Sequence, residues 1–253
     1  MNKPDKTYVK KVNYDSLDKL GWLPDVTKLE IEADKPNAGL FAHKWLGEPL
    51  SQQEMSIINR DMILDAMNRE VQDDGKIIIG ADIARMGNDR TVFFKRKGLK
   101  VIDYKIYSKL RTTQICDMLE NFAGYDKEVE IKIDDTGVGG GVTDEMIKRQ
   151  YAVVPINFGS KAKDDDKYPN LISEAWFELA DIANQIQLPY NSDLLMELST
   201  RQWKQDSRGK RAVESKTEYK KRGFRSPDMA DACIICFYTP LNNSITADDI
   251  FMY

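Results

Sequence analysis

Ile77-Ile78-Ile79-Gly80-Ala81-Asp82-Ile83-Ala84-Arg85 is the stretch on which the reading of this chain turns. It follows an Asp73-Asp74-Gly75 turn, and its aliphatic, mostly β-branched residues mark a buried central strand. A lone carboxylate inside such a strand is costly unless a cation or donor compensates it. Asp82 is therefore either a structural residue with a strong partner or a metal ligand. Two later segments carry carboxylates in similar settings: Ile131-Lys132-Ile133-Asp134-Asp135 and Ser226-Pro227-Asp228-Met229-Ala230-Asp231. The expectation is that all three converge on divalent metal and cut nucleic acid.

Around that strand, further strands are expected at 91–94 and 99–107. Short turns bearing Gly and Asn join them, which favours an antiparallel meander. A helix at 110–123, a strand at 128–134, a glycine-rich turn at 136–141, a helix at 142–150 and a strand at 152–158 add an α/β alternation. The predicted fold class is thus α/β: a mixed sheet, three antiparallel strands followed by parallel ones, flanked by helices. Residues 159–169 read as a mobile loop, 170–186 as an amphipathic helix, 185–188 as a short strand and 192–199 as a helix. Residues 200–216 read as an added β-hairpin turning at Asp206-Ser207-Arg208-Gly209-Lys210. The last helix is expected to open with Ser226 as N-cap and Pro227 at its first position, and to run to about Tyr238.

The flanks differ from this body. Residues 1–70 are expected to be a linker or small subdomain with a disordered start and a helix at 51–69, ahead of a domain at 71–240. Residues 241–253 read as a mobile tail. His43 is the only histidine, so no His-based metal site can form within the chain. Cys233 and Cys236 form a C-x-x-C in an apolar helix and read as buried free thiols in a reducing compartment.

Hydrophobic residues make up 42% and charged residues 31% of the 253, as in an ordinary soluble globular protein. No apolar run reaches the roughly 18 residues of a membrane span, and no signal peptide opens the sequence. The net charge of −4 argues mildly against nucleic acid, but its distribution argues for it. Residues 201–225 hold ten Lys/Arg against three acids, a local +7 that leaves −11 on the remainder. Arg201, Lys204, Arg208, Lys210, Arg211, Lys216, Lys220, Lys221 and Arg222 are the expected DNA contacts in this basic strip.

Asp228 and Asp231, three apart, share one face of the last helix. Charge at a helix N-terminus accounts for Asp228. Asp231 lies deeper, against Ala232-Cys233-Ile234-Ile235-Cys236-Phe237, and needs a stronger reason. Asp134 ends a strand before the glycine turn, a usual place for a site in open α/β sheets, with Asp135 as its rival. Hard oxygen ligands without His or Cys select Mg²⁺ or Mn²⁺. Two such ions about 4 Å apart can activate a water and stabilise a leaving 3′-oxygen.

Three segments together carry a family resemblance: Gly80-Ala81-Asp82-Ile83-Ala84-Arg85-Met86-Gly87-Asn88-Asp89-Arg90-Thr91, Ile133-Asp134-Asp135-Thr136-Gly137-Val138-Gly139-Gly140-Gly141, and Ser226-Pro227-Asp228-Met229-Ala230-Asp231-Ala232. In this order and at these separations they resemble the nuclease domain of tailed-bacteriophage large terminases, which belongs to the ribonuclease-H-like superfamily. Tyr168-Pro169-Asn170, Glu214-Ser215-Lys216 and Phe41-Ala42-His43-Lys44-Trp45-Leu46-Gly47-Glu48-Pro49 fit the same pattern, the last resembling the segment that leaves the family's ATPase domain.

The resemblance implies that Asp82, Asp134 and Asp231 hold two Mg²⁺ or Mn²⁺ ions, with Asp228 as an auxiliary ligand or water-positioning group. It implies an endonuclease cutting double-stranded DNA with little sequence preference during viral genome packaging. The implied partners are the terminase ATPase domain, the small terminase subunit and the portal protein; the implied setting is the host bacterial cytoplasm, transiently at the procapsid portal. No G-x-x-x-x-G-K-[ST] sequence occurs, so no ATPase activity is expected of this chain alone, and a nuclease fragment or separately made domain is expected. Two other readings stand beside this one. In an actin-like nucleotide-binding fold, Gly137 to Gly141 would cradle phosphate. In a non-catalytic packaging-motor assembly module, the acidic clusters and the tail would dock onto partners.

Overall fold

The structure is a computed structural model that describes residues 14–34, 46, 55–84 and 89–240. His43 and the tail 241–253 lie outside the described residues. Met1–Met55 and Ser56–Tyr253 form two separate compact units. The first contains the short helices α1 (Tyr14–Lys19) and α2 (Asp25–Asp34).

The second unit begins with α3 (Arg60–Asn68), shorter than the helix expected over 51–69 because the Asn59 side chain caps it, accepting from the Asp61 N–H at 2.8 Å. Ile58, Ile63, Ala66 and Met67 are buried in the main core, so the compact body already includes the stretch before residue 71.

Five strands follow: β1 (Ile77–Asp82), β2 (Thr91–Lys97), β3 (Lys100–Tyr107), β4 (Glu130–Asp134) and β5 (Ala152–Ile156). Their order is β3-β2-β1-β4-β5. β1 pairs antiparallel with β2 and parallel with β4, while β2–β3 is antiparallel and β4–β5 parallel. The sheet is the mixed one expected, with β1 at its centre.

Side-chain alternation along these strands sorts two layers. Ile79, Ala81, Phe93, Ile131 and Ile133 face α4 (Thr112–Ala123) and α5 (Gly139–Lys148). Val92, Phe94, Val154 and Ile156 face a second core built with α6 (Leu171–Ile182) and α7 (Ser192–Thr200). A short hairpin, β6 (Trp203–Gln205) and β7 (Arg211–Val213), then leads to α8 (Lys216–Lys221) and α9 (Asp228–Phe237).

Helix α9 lies directly on β1 because Gly80 has no side chain. A Cβ there would be 2.4 Å from the Cys236 nitrogen, closer than real contacts allow. Two cations meet the carbonyl end of this helix: Arg96 Nε donates to Cys236 O at 2.8 Å, and buried Lys132 Nζ donates to Tyr238 O at 2.5 Å. Cys233 and Cys236 are free and buried within the same helix.

Several expectations need correction. The glycine-rich turn expected at 136–141 is shorter: residues 136–138 turn, with Gly137 at φ +67°, and Gly139 to Gly141 open α5, where a Cβ at Gly139 would be 1.6 Å from the Asp134 carbonyl oxygen. The strand expected at 185–188 reduces to one bridge, Lys100 with Gln187. The hairpin is shorter than 200–216, and α8 was not expected. It forms on a reciprocal capping box: Glu218 N–H donates to Ser215 Oγ at 3.1 Å, and Ser215 N–H to Glu218 Oε2 at 2.8 Å. α9 starts one residue late, because Pro227 at φ −85°, ψ 52° is its cap rather than its first residue. The loop 159–169 is anchored, not loose: the buried carboxylate of Glu174 accepts from the Lys163 and Asp164 N–H groups at 2.9 and 2.8 Å.

Candidate metal centre

The sheet and α9 bring four carboxylates to one place. Asp82 ends β1 and Asp134 ends the adjacent parallel strand β4. Gly80 pairs with Lys132 across these strands, and Asp82 and Asp134 each lie two residues further on, so both point to the α9 side. Asp228 and Asp231 occupy the first turn of α9. All four are at most 8% exposed, and Asp231 is fully buried. Asp135 lies past the end of the strand, where its N–H donates to Ile156 O at 2.9 Å. The placement favours Asp134 over this rival.

Burial, with mutual repulsion added to it, favours the protonated carboxyls here. The Asp82 carboxyl is pushed well above the ordinary 3.8, first by burial and then by Asp231, Asp134 and Asp228, with Lys216 opposing. Burial also raises Asp134 against a 3.0 Å bond from the Thr136 N–H, and Asp228 against a 2.8 Å bond from the Arg90 N–H.

Lys216, at the start of α8, places Nζ 2.8 Å from Asp231 Oδ2. Asp231 raises the ammonium's affinity for its proton, burial opposes, and Asp82 and Asp134 add to the increase. The sequence assigned Lys216 to DNA; the fold puts it among the acids.

Neither oxygen of Asp231 takes a well-formed hydrogen bond among the described residues, although both are buried. Such orphaned acceptors call for a further positive partner. Among the described residues, no three Asp, Glu, His or Cys stand close enough to share one ion, and Lys216 supplies counter-charge to Asp231. An all-oxygen donor set, in which Asp231 offers two buried oxygens met only by the Lys216 ammonium among the described residues, nonetheless suits a hard divalent cation.

Two groups escaped sequence reading. Glu197 of α7 is buried and accepts from the Ala230 N–H at 2.9 Å, so it caps α9 from outside. Burial pushes its carboxyl up to about 8 against that bond and Arg90. Its place between Leu194, Leu195 and Leu198, on an apolar helix face, was the available signal. Arg90 clamps the flank, donating to Asp193 at 2.6 Å and Glu197 at 2.7 Å, with Nε 3.6 Å from Asp228. Asp89 pairs with Lys220.

The basic strip is only partly a surface. Arg201 is fully buried, donates to Glu214 O at 2.8 Å and lies over the Trp176 and Tyr219 rings, so it cannot touch DNA in this fold. Burying a guanidinium this way is structural work. Arg222 pairs with Glu214 at 2.6 Å and Lys204 with Glu218 at 2.5 Å, both from exposed positions. Arg208, Arg211, Lys220 and Lys221 are exposed and Lys210 is half-buried.

No family model matches the sequence, and no curated protein matches it. Solved structures do match. The nuclease domain of the large terminase subunit gp2 of bacterial virus Sf6 superposes with a TM-score of 0.61 at 20% identity, covering 74% of this chain and 100% of that one. A mutant of that domain with manganese gives 0.64 at 18% identity over the same shares. The large terminase nuclease of thermophilic phage G20c with bound magnesium gives 0.54 at 16% identity, covering 72% of this chain and 95% of that one. In fold, this chain is similar to the nuclease domains of phage large terminases.

Proposed function

We propose that the chain is a divalent-metal-dependent endonuclease that cuts double-stranded DNA with little sequence preference during viral genome packaging. The observation that carries this reading is the burial of Asp82, Asp134, Asp228 and Asp231, from three distant segments, with Lys216 paired to Asp231 and Arg90 beside Asp228. The fold shared with terminase nucleases solved with manganese and magnesium supports it.

Asp82, Asp134 and Asp231 are the residues that would hold two Mg²⁺ or Mn²⁺ ions, with Asp228 auxiliary. When bound, the ions supply Lewis acidity and lower the pKa of water for phosphodiester hydrolysis. The chain's own residues do the positioning. β1 and β4 fix two acids on a rigid sheet, α9 brings two more onto it, and Arg90 holds Asp228 in place. Lys216 balances part of the acids' charge, and Asp231 would have to part from its ammonium in order to hold a metal ion. Exposed cations of the hairpin and α8 hold DNA by its phosphates without reading bases. The reading extends to a terminase ATPase domain, small subunit and portal protein as partners, in the host cytoplasm.

The test is supercoiled plasmid with Mg²⁺ or Mn²⁺, comparing the wild type with Asp82→Asn, Asp134→Asn and Asp231→Asn. Cutting by the wild type, lost by at least about a hundredfold in each variant, is expected. Equal cutting by the variants, or none by any protein across metal concentrations, would end the proposal.

A further inference from the structure

Beside the acid cluster lies a cavity of about 520 Å³ between the start of β2, the end of β3, α8 and the start of α9. Arg90, Lys220 and Arg225 contribute three cations to its wall, against Asp89 and Asp228, and Ser108 and Ser226 contribute hydroxyls. We propose that this cavity seats one backbone phosphate of the DNA strand being cut, a neighbour of the phosphate at the acid centre. The inference rests on the nuclease reading for its strand but not for its binding chemistry.

Three observations carry it. Arg225 is exposed and makes no ion pair or hydrogen bond among the described residues, whereas Arg90 beside it is fully engaged. The Ser226 hydroxyl is buried within the wall and has no hydrogen-bond partner among the described residues. Lys220 meets Asp89 only at 3.2 and 3.3 Å, both side chains being near half exposed, so a phosphate can take its place as partner.

A planar guanidinium, an ammonium and hydroxyls suit a tetrahedral anion. Asp228 lines the cavity and also belongs to the acid cluster, which fixes the seat next to the reacting position. Arg225 thereby becomes a substrate-binding residue that registers the strand, and Ser226 its companion.

The experiment measures binding of a short DNA duplex in EDTA, where cleavage plays no part, as a function of salt. Arg225→Ala is expected to weaken binding about tenfold and to lower the slope of log K against log salt by about 0.9. Its melting temperature should not change, and Arg225→Lys should keep most of the slope, which a folding defect would not explain. Lys148→Ala, an exposed charge on another helix, is the control and should match the wild type. With Mn²⁺, Arg225→Ala should raise KM about tenfold with little change in kcat.

Arg225→Ala binding like Lys148→Ala would overturn the proposal. So would inorganic phosphate raising the wild-type melting temperature, but not that of Arg225→Ala, while the DNA slope stayed the same; the cavity would then hold free phosphate. Plasmid cutting that depends on Asp82 while Arg225→Ala binds normally removes the seat and keeps the nuclease. The expected slope change without any cutting does the reverse.

Discussion

Lys216 Nζ stands 2.8 Å from the carboxylate of Asp231, a side chain with no solvent exposure and no well-formed hydrogen bond among the described residues. An internal cation thus meets part of the charge that a metal ion would otherwise balance. Lys216→Ala should destabilise the metal-free protein by about 1–3 kcal/mol, less than a fully buried pair because the lysine is partly exposed. Saturating Mn²⁺ should return most of that loss in urea unfolding. A variant as stable as wild type without metal would show that Asp231 does not depend on the ammonium.

Asp82 sets a pH dependence. Its folded carboxyl holds its proton more tightly than the unfolded chain does. Its contribution to stability is therefore whole below about pH 3.8 and is lost as pH rises through the elevated folded value. Asp82→Asn removes that loss, so the variant should gain on the wild type as pH rises above 3.8. The gain should be about 2–4 °C in melting temperature for each kcal/mol relieved. Mg²⁺ should reverse the order, stabilising the wild type more, and increasingly so at higher pH, because it displaces protons from the same oxygens. Parallel melting curves of the two proteins from pH 4 to 8 would refute the assignment of Asp82 to the repulsive cluster.

Gly80→Ala should cost about 1–3 kcal/mol, since the new methyl meets backbone of α9 rather than a side chain that can turn away. Cleavage should fall more than stability does, because two of the acids ride on that helix. Circular dichroism melts and plasmid assays on one preparation separate the two effects; full activity would mean that the helix position is not critical.

Arg201 and Arg208 belong to one basic strip but should behave oppositely. Arg201→Ala removes a buried side chain stacked on Trp176 and Tyr219 and should destabilise by about 2–4 kcal/mol. Arg208→Ala should change stability by less than about 0.5 kcal/mol while lowering the salt slope of DNA binding by about one. Unfolding curves alongside anisotropy titrations check both.

The sheet was legible because β1 is an aliphatic, largely β-branched run after a turn and β4 alternates apolar with polar residues, an alternation that puts Lys132 and Asp134 on one face. Three of the four acids could be picked out as carboxylates that an apolar strand or helix does not explain. Glu197 had a signal in its leucine-rich helix face, Leu194, Leu195 and Leu198, but only the packing of α7 shows that this face turns toward the acids. The α8 helix had its signal in Ser215 and Glu218, but alternation along the preceding hairpin masked a capping box only six helical residues long. Arg201 misled for a physical reason: composition counts charge, and nothing in local sequence says that a guanidinium will be roofed by two aromatic rings.

The missing side chain at Gly80 has a thermal consequence. The acids on the sheet and those on the helix keep their spacing only while one backbone rests against the other, with no interposed side chain to act as a spacer. Warming that loosens this contact should abolish the proposed cleavage before the sheet itself melts, so loss of cutting should precede unfolding, and mutations selected for a tougher fold at this seam should also sharpen the chemistry.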